Sequence, residues 1–151
     1  SVLRCCSLTA ACTGVNEKTL VAAGVKYQAL HLHPRSHASY YPGAQPINLK
    51  ILYDPTSGRL LGAQAVGADK VEKRIDVLAT ALAARMTVDD LAELELCYAP
   101  PYGGAKDPVN FAGMVGQNVL EGLVKTVAWD QLPALAARPE VVILDVRTAK
   151  E

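Results

Sequence analysis

Residues 47–53 set Ile47, Leu49, Ile51 and Tyr53 against Asn48 and Lys50, the period of a strand with one face buried. Residues 59–67 continue as its partner. Between them, Asp54-Pro55-Thr56-Ser57-Gly58 is turn chemistry, with proline presetting φ at the second position and glycine accepting a left-handed one. A hairpin is predicted here. Upstream, residues 2–13 are short, apolar and free of Gly and Pro, and read as one strand ended by Gly14; residues 25–33 read as another. From residue 70 the period changes: Val71, Ile75, Leu78, Leu82 and Met86 recur at three and four, which predicts an amphipathic helix over 70–85.

Shorter helices are expected where caps precede them. Asn16 suits an N-cap, Glu17 a first turn and Gly24 a stop, giving a helix over 16–23. Thr87 caps residues 88–94, with Asp89 and Asp90 in the first turn. Asp107-Pro108 opens a helix running to about Glu121. Its Gly113 and Gly116 lower helix propensity, so another segment is expected to approach that face closely. Together these elements predict an α+β fold, a mainly antiparallel sheet of four to five strands with helices packed on one face.

Two loops interrupt the pattern. One, from Pro34 to Pro46, holds Tyr40-Tyr41-Pro42-Gly43. The other, Cys97-Tyr98-Ala99-Pro100-Pro101-Tyr102-Gly103-Gly104, is neither helix nor central strand, because its two prolines remove donors and fix φ. After Gly122 the composition shifts. A short helix is expected over 128–137, and Val141-Val142-Ile143-Leu144-Asp145 has the continuous apolar character of a strand buried on both faces of a parallel sheet. The expected organisation is one domain over 1–122, then residues 123–151 as a linker entering a second.

Charge narrows the partners. Fifteen Lys and Arg balance fifteen Asp and Glu, so no net field favours nucleic acid or an anionic membrane surface. No apolar run approaches the ~20 residues that span a bilayer. Ser1-Val2-Leu3-Arg4 lacks the features of a secretion signal, so a cytoplasmic setting is expected. Cys5, Cys6, Cys12 and Cys97, none in a C-x-x-C pair, are then expected to be free, buried thiols.

Candidate chemistry is sparse. No Gly-x-Gly-x-x-Gly follows a strand, and there is no phosphate-binding P-loop. Gly103-Gly104 with Lys106 could hold an anion at a helix start, although a plain turn is the simpler reading. His31, His33 and His37 form H-x-H-x3-H, but a metal would need a further ligand and supporting contacts, and none is assigned. Six of the eight aromatic residues are tyrosines, and Tyr40, Tyr41, Tyr98 and Tyr102 fall in the two rigid loops. A phenol so held can donate to a thiolate or oxyanion; equally, its ring can simply pack the loop onto the hairpin.

Five motifs occur in a telling order: Thr13-Gly14-Val15-Asn16-Glu17, Tyr40-Tyr41-Pro42-Gly43, Gly62-Ala63-Gln64-Ala65-Val66-Gly67, Lys73-Arg74-Ile75-Asp76-Val77, and Tyr98-Ala99-Pro100-Pro101-Tyr102 with Lys106-Asp107. Over 1–122 the chain resembles the C-terminal dimerisation (interface) domain of flavin-dependent pyridine nucleotide-disulfide oxidoreductases. The branch it resembles contains coenzyme A-disulfide reductase, NADH oxidase and polysulfide reductase. Where glutathione-reductase-like members carry a His-Pro and a following Glu, this chain reads Cys97-Tyr98-Ala99-Pro100-Pro101, which points away from the glutathione, lipoamide and mercuric reductases. Trp129 to Leu135 with Val141 to Arg147 and Glu151 is similar to the opening of a rhodanese domain, without the loop that would hold its persulfide cysteine.

The resemblance implies a parent enzyme using FAD and NAD(P)H, bound by upstream domains and not by this segment, which on its own would be inactive. It implies a homodimer acting in cell redox homeostasis on a coenzyme A-type disulfide. Tyr40 and Tyr98 match tyrosines donated to the partner subunit's disulfide site, and Lys106 matches a lysine suited to coenzyme A phosphates. An NADH oxidase or polysulfide reductase parent remains open, as do a stand-alone metal-binding domain and a sulfur-transfer protein; against the last, no cysteine follows residue 97.

Overall fold

The computed structural model describes residues 1–148. Five strands, β1 (Val2–Cys5), β2 (Leu8–Gly14), β3 (Gln28–Leu32), β4 (Ile47–Tyr53) and β5 (Leu60–Gly67), pair in the order β1-β2-β5-β4-β3. Every neighbouring pair is antiparallel. The helices are α1 (Glu17–Ala22), α2 (Val71–Ala83), α3 (Val88–Glu93), α4 (Pro108–Leu120) and α5 (Leu132–Ala136), the last preceded by a 3-10 turn over Trp129–Gln131. The α+β architecture expected from the sequence is the one observed.

Register explains the core. Ala11 of β2 faces Ala65 of β5, which faces Leu49 of β4, which faces Leu32 of β3, and all four are buried. The parallel row runs Thr13, Ala63, Ile51, Leu30. Alanines at the centre leave room for α2, whose Val71, Ile75 and Leu78 are buried against this face. The opposite face carries Cys12, Gln64, Lys50 and His31 in one cross-strand row, and here α1 is fastened by an ion pair between Glu17 and Lys50.

Local chemistry works as its residue types require. Asp54 Oδ1 accepts from the N–H groups of Thr56 and Ser57, each at 2.8 Å, and Gly58 closes the β4–β5 turn at φ +71°. Thr87 and Asp90 cap α3 reciprocally. The glycines of α4 mark a close crossing: a Cβ on Gly113 would lie 2.4 Å from the Ala92 nitrogen, and one on Gly116 2.7 Å from Val88 Cγ1.

Three expectations are corrected. Residues 2–13 are a hairpin, not one strand, because Cys6 takes a left-handed turn conformation (φ 54°) with neither Gly nor Pro to announce it. The four cysteines are free, as expected, but all exposed rather than buried. Val141-Val142-Ile143-Leu144-Asp145 forms no strand; Val142, Ile143 and Leu144 are exposed, because among the described residues no neighbouring strand pairs with them. Glu151 lies outside the described residues.

Candidate functional site

The loop over 34–46 leaves β3 and returns to β4 closed at its neck. Arg35 bridges Pro46, and the amides of Ser36 and Ile47 donate to Gln45 O and Pro34 O at 2.8 Å each. Inside it, Ser36 Oγ accepts from the Gln45 amide (3.1 Å), and the buried His37 ring lies 3.3 Å from Pro42 O through Nε2. Tyr41 packs on that ring edge to face, with centroids 5.9 Å apart. The loop is therefore internally braced, and Tyr40 stands out of it, 75% exposed.

The loop preceding α4 is braced differently. Ala99 O accepts from the amides of Tyr102 (2.8 Å) and Gly103 (3.1 Å), folding Pro100-Pro101 into a tight turn. Buried Asn110 of α4 reaches back to Leu94 O (2.8 Å) and Leu91 O (3.1 Å). The two loops are then stitched together by the Ala38 amide donating to Gly103 O at 3.0 Å.

Beneath the stitch lies Arg74, wholly buried on α2. Its Nη2 donates to Asp107 Oδ2 at 2.8 Å and to Ser36 O at 2.9 Å, so one guanidinium holds the first loop and the N-cap of α4 at once. Asp107 does double duty, since its Oδ1 also accepts from the Val109 amide at 3.1 Å.

The result is a contact between residues 58 positions apart: Tyr40 Oη and Tyr98 Oη are 3.1 Å from one another. Tyr98 is 48% exposed, so the pair sits at the surface. The hydrogen bond to Tyr40, with lesser help from desolvation and the neighbouring phenol's charge, raises the Tyr98 pKa above the ordinary phenol value. Either hydroxyl can donate in this contact, and the one that accepts keeps its own O–H free for a third group.

Other candidates are not gathered here. Lys106 Nζ contacts Met114 Sδ at 3.2 Å, and among the described residues no hydrogen bond joins it to either tyrosine. The carboxylate of Asp107 already occupies the start of α4, where Gly103-Gly104 and Lys106 would have held an anion. His31 and His33 share the open sheet face, His33 against Asn48 Oδ1 (2.8 Å), while His37 is buried in its own loop. Among the described residues no three His, Cys, Asp or Glu side chains converge on a metal position. Clefts of about 400 Å3 beside β3 and about 300 Å3 against β1 and β2 include neither tyrosine.

Arg74, Ser36, His37 and Asp107 escaped the sequence reading as parts of this site. A signal existed for Arg74, which falls on the apolar stripe of α2 between Val71 and Leu78, where a charge needs a buried partner.

Comparison with known proteins decides the family. The model for the dimerisation domain of pyridine nucleotide-disulphide oxidoreductases matches residues 3–107. The chain belongs to that family. The dimerisation domain is 42% identical over 103 residues to the coenzyme A disulfide reductase of Staphylococcus aureus (strain bovine RF122 / ET3-1), a match covering 63% of this chain and 24% of that relative. Among solved structures it is similar to reduced CoADR-RHD of Bacillus anthracis (46% identity, TM-score 0.88), over 90% of this chain and 24% of that one. It is also similar to a NAD-dependent persulfide reductase from A. fulgidus, with 43% identity and TM-score 0.82, over 84% and 24%. The dimerisation domain thus spans about a quarter of the length of the relatives it matches.

Members of the family use FAD and NAD(P)H. The described residues do not form the dinucleotide fold that would hold either group by itself. The sheet is antiparallel throughout, so it lacks the crevice at the carboxyl ends of parallel strands where dinucleotides lie, and no Gly-x-Gly-x-x-Gly turn opens a helix.

Proposed function

We propose that this dimerisation domain joins two subunits of a coenzyme A-disulfide reductase-like enzyme and lends Tyr40 and Tyr98 to the disulfide site of the partner subunit. The observation that carries the reading is the hydroxyl pair, held at 3.1 Å by two braced loops yet open to a neighbour. Reductive cleavage of a disulfide releases a thiolate, which leaves faster when a donor stabilises or protonates it. Within the pair one hydroxyl donates to the other, and the O–H of the accepting phenol is the one offered to the sulfur. In a two-fold dimer the contact is isologous, so each protomer supplies the same pair.

Lys106, exposed and on the turn before α4, is suited to the phosphates of a coenzyme A substrate once its weak contact with Met114 is given up. FAD and NAD(P)H belong to the domains that make up the rest of the relatives' length, so this chain on its own is inactive and colourless. Four free, exposed thiols suit a cytoplasmic protein. Residues 123–151 read as a linker and the first part of a rhodanese-like domain. In support, the likeness to CoADR-RHD covers more of the chain than residues 1–122 amount to.

The test is kinetic, on the full-length protein that carries this chain. Tyr40→Phe and Tyr98→Phe are expected to lower kcat for coenzyme A disulfide with little change in flavin reduction by NAD(P)H; unchanged kcat in both variants would overturn the assignment. A persulfide reductase parent is the second reading, favoured by the 43% identity to the A. fulgidus protein. Faster turnover of a persulfide or polysulfide than of coenzyme A disulfide would select it. For the domain itself, sedimentation at high micromolar concentration is expected to show a homodimer, and monomer alone would count against the subunit-joining role.

A further inference from the structure

Lys70 breaks two local rules. It stands at the N-cap of α2 without a side-chain cap, where Ser, Thr, Asp or Asn is favoured, and it takes a left-handed backbone conformation (φ 55°, ψ 28°), where Gly or Asn is favoured. Such conflicts persist where the side chain serves another purpose. The left-handed turn aims the Lys70 stem away from α2 into the seam between the two tyrosine loops. There its Nζ donates to Pro101 O, in the loop of Tyr98, and lies 3.4 Å from His37 Nδ1, in the loop of Tyr40. Ser36 Oγ lies on the same nitrogen at 3.1 Å; with Nδ1 accepting, the His37 ring carries its proton on Nε2 and donates it to Pro42 O, so the hydroxyl and the cation orient the ring together. Asp69 Oδ2, 3.7 Å from both Nζ and His37 Nδ1, balances the charge.

We propose that Lys70 is a positioning residue, an ammonium clasp that closes the Tyr40 loop onto the Tyr98 loop and thereby sets the contact between their hydroxyls. Arg74 holds the bases of the loops from within the core; Lys70, half-buried above it, reaches the segments that bear the tyrosines. The inference deepens the reading of the tyrosine pair as a proton-donating unit, but it concerns geometry within this chain and is tested without any turnover.

Two substitutions separate the clasp from plain structural support. Lys70→Gly deletes the ammonium while relieving the left-handed backbone, so thermal stability is expected to hold or rise. Lys70→Met keeps the stem and the strain and deletes only the charge. In both, exchange of the Ala38 amide, which bridges to Gly103 O, is expected to quicken by about tenfold, the weight of one charge-assisted hydrogen bond. The Tyr98 phenol, followed by NMR with 13C-labelled tyrosine, is expected to fall back toward the titration of an unpaired tyrosine. Amides of β4 and β5 should keep their protection. Unchanged Ala38 exchange and unchanged Tyr98 titration in both variants would overturn the proposal. So would a loss of protection spread evenly across the sheet, which would make Lys70 a support of the fold alone. These outcomes stand apart from the kinetic test of Tyr40→Phe and Tyr98→Phe: the clasp can hold while the tyrosines serve no sulfur, and the reverse.

Discussion

Arg74 Nη2 lies 2.8 Å from Asp107 Oδ2, both side chains closed to solvent, and the same nitrogen reaches Ser36 O at 2.9 Å. Breaking such a pair from one side leaves a carboxylate buried without its counter-charge. Arg74→Met is therefore expected to lower stability by about 3–5 kcal/mol in urea unfolding. Arg74→Lys should recover little of it, because an ammonium cannot span Asp107 and Ser36 as the planar fork does.

Gly113→Ala tests the crossing of α3 and α4. The substitution raises helix propensity by about 1 kcal/mol, yet the new methyl would sit 2.4 Å from the Ala92 nitrogen and 2.7 Å from Val88 O, both backbone atoms. Overpacking against backbone costs about 1–3 kcal/mol, so a lower thermal midpoint is expected. A raised midpoint would mean that the helices are farther apart than described.

Tyr40→Phe should leave stability within about 0.5 kcal/mol, since its ring is largely in solvent. It should nonetheless return Tyr98 toward the ordinary phenol range, because the hydrogen bond to Tyr40 is the main cause of the shift. Phenolate absorbance against pH, compared with Tyr98→Phe, reads this directly.

Glu17 supplies a pH dependence of known sign. Its hydrogen bond and charge pairing with Lys50 hold the folded-state pKa below the ordinary carboxylate value, against a smaller opposing effect of burial. Folding thus favours the deprotonated form. The contribution is complete above the unfolded-state pKa and is lost as the pH falls through the lower, folded-state one. Lys50→Met should flatten that part of the acid limb of the stability profile. An unaltered limb would mean that the pair does not tie α1 to the sheet.

The hairpin over 47–67 was legible because two independent signals agreed, alternation in both strands and an Asp-Pro-Thr-Ser-Gly turn. The hairpin at 2–14 was not: Cys6-Ser7 holds no Gly, Asn or Asp for the left-handed position that Cys6 takes, so the reversal rests on the pairing of Val2–Cys5 with Leu8–Ala11. The tyrosines were legible as a cluster in two rigid loops, whereas their mutual contact was not. Bringing Tyr40 to Tyr98 requires the sheet register, the stitch from Ala38 to Gly103 and the reach of Arg74, all formed between positions far apart in sequence. Asp107 announced itself only as a cap. Its second task, neutralising a buried cation 33 residues earlier, leaves no trace in local pattern.

The apolar run at Val141–Leu144 has a practical bearing. Its side chains are β-branched or leucine, uncharged until Asp145, largely bare to water and without a strand beside them among the described residues. An identical run on another molecule offers it a pairing edge. Concentrated preparations are therefore expected to self-associate through this run, seen as light scattering that Ile143→Lys lowers, while the five-stranded sheet keeps its pairing.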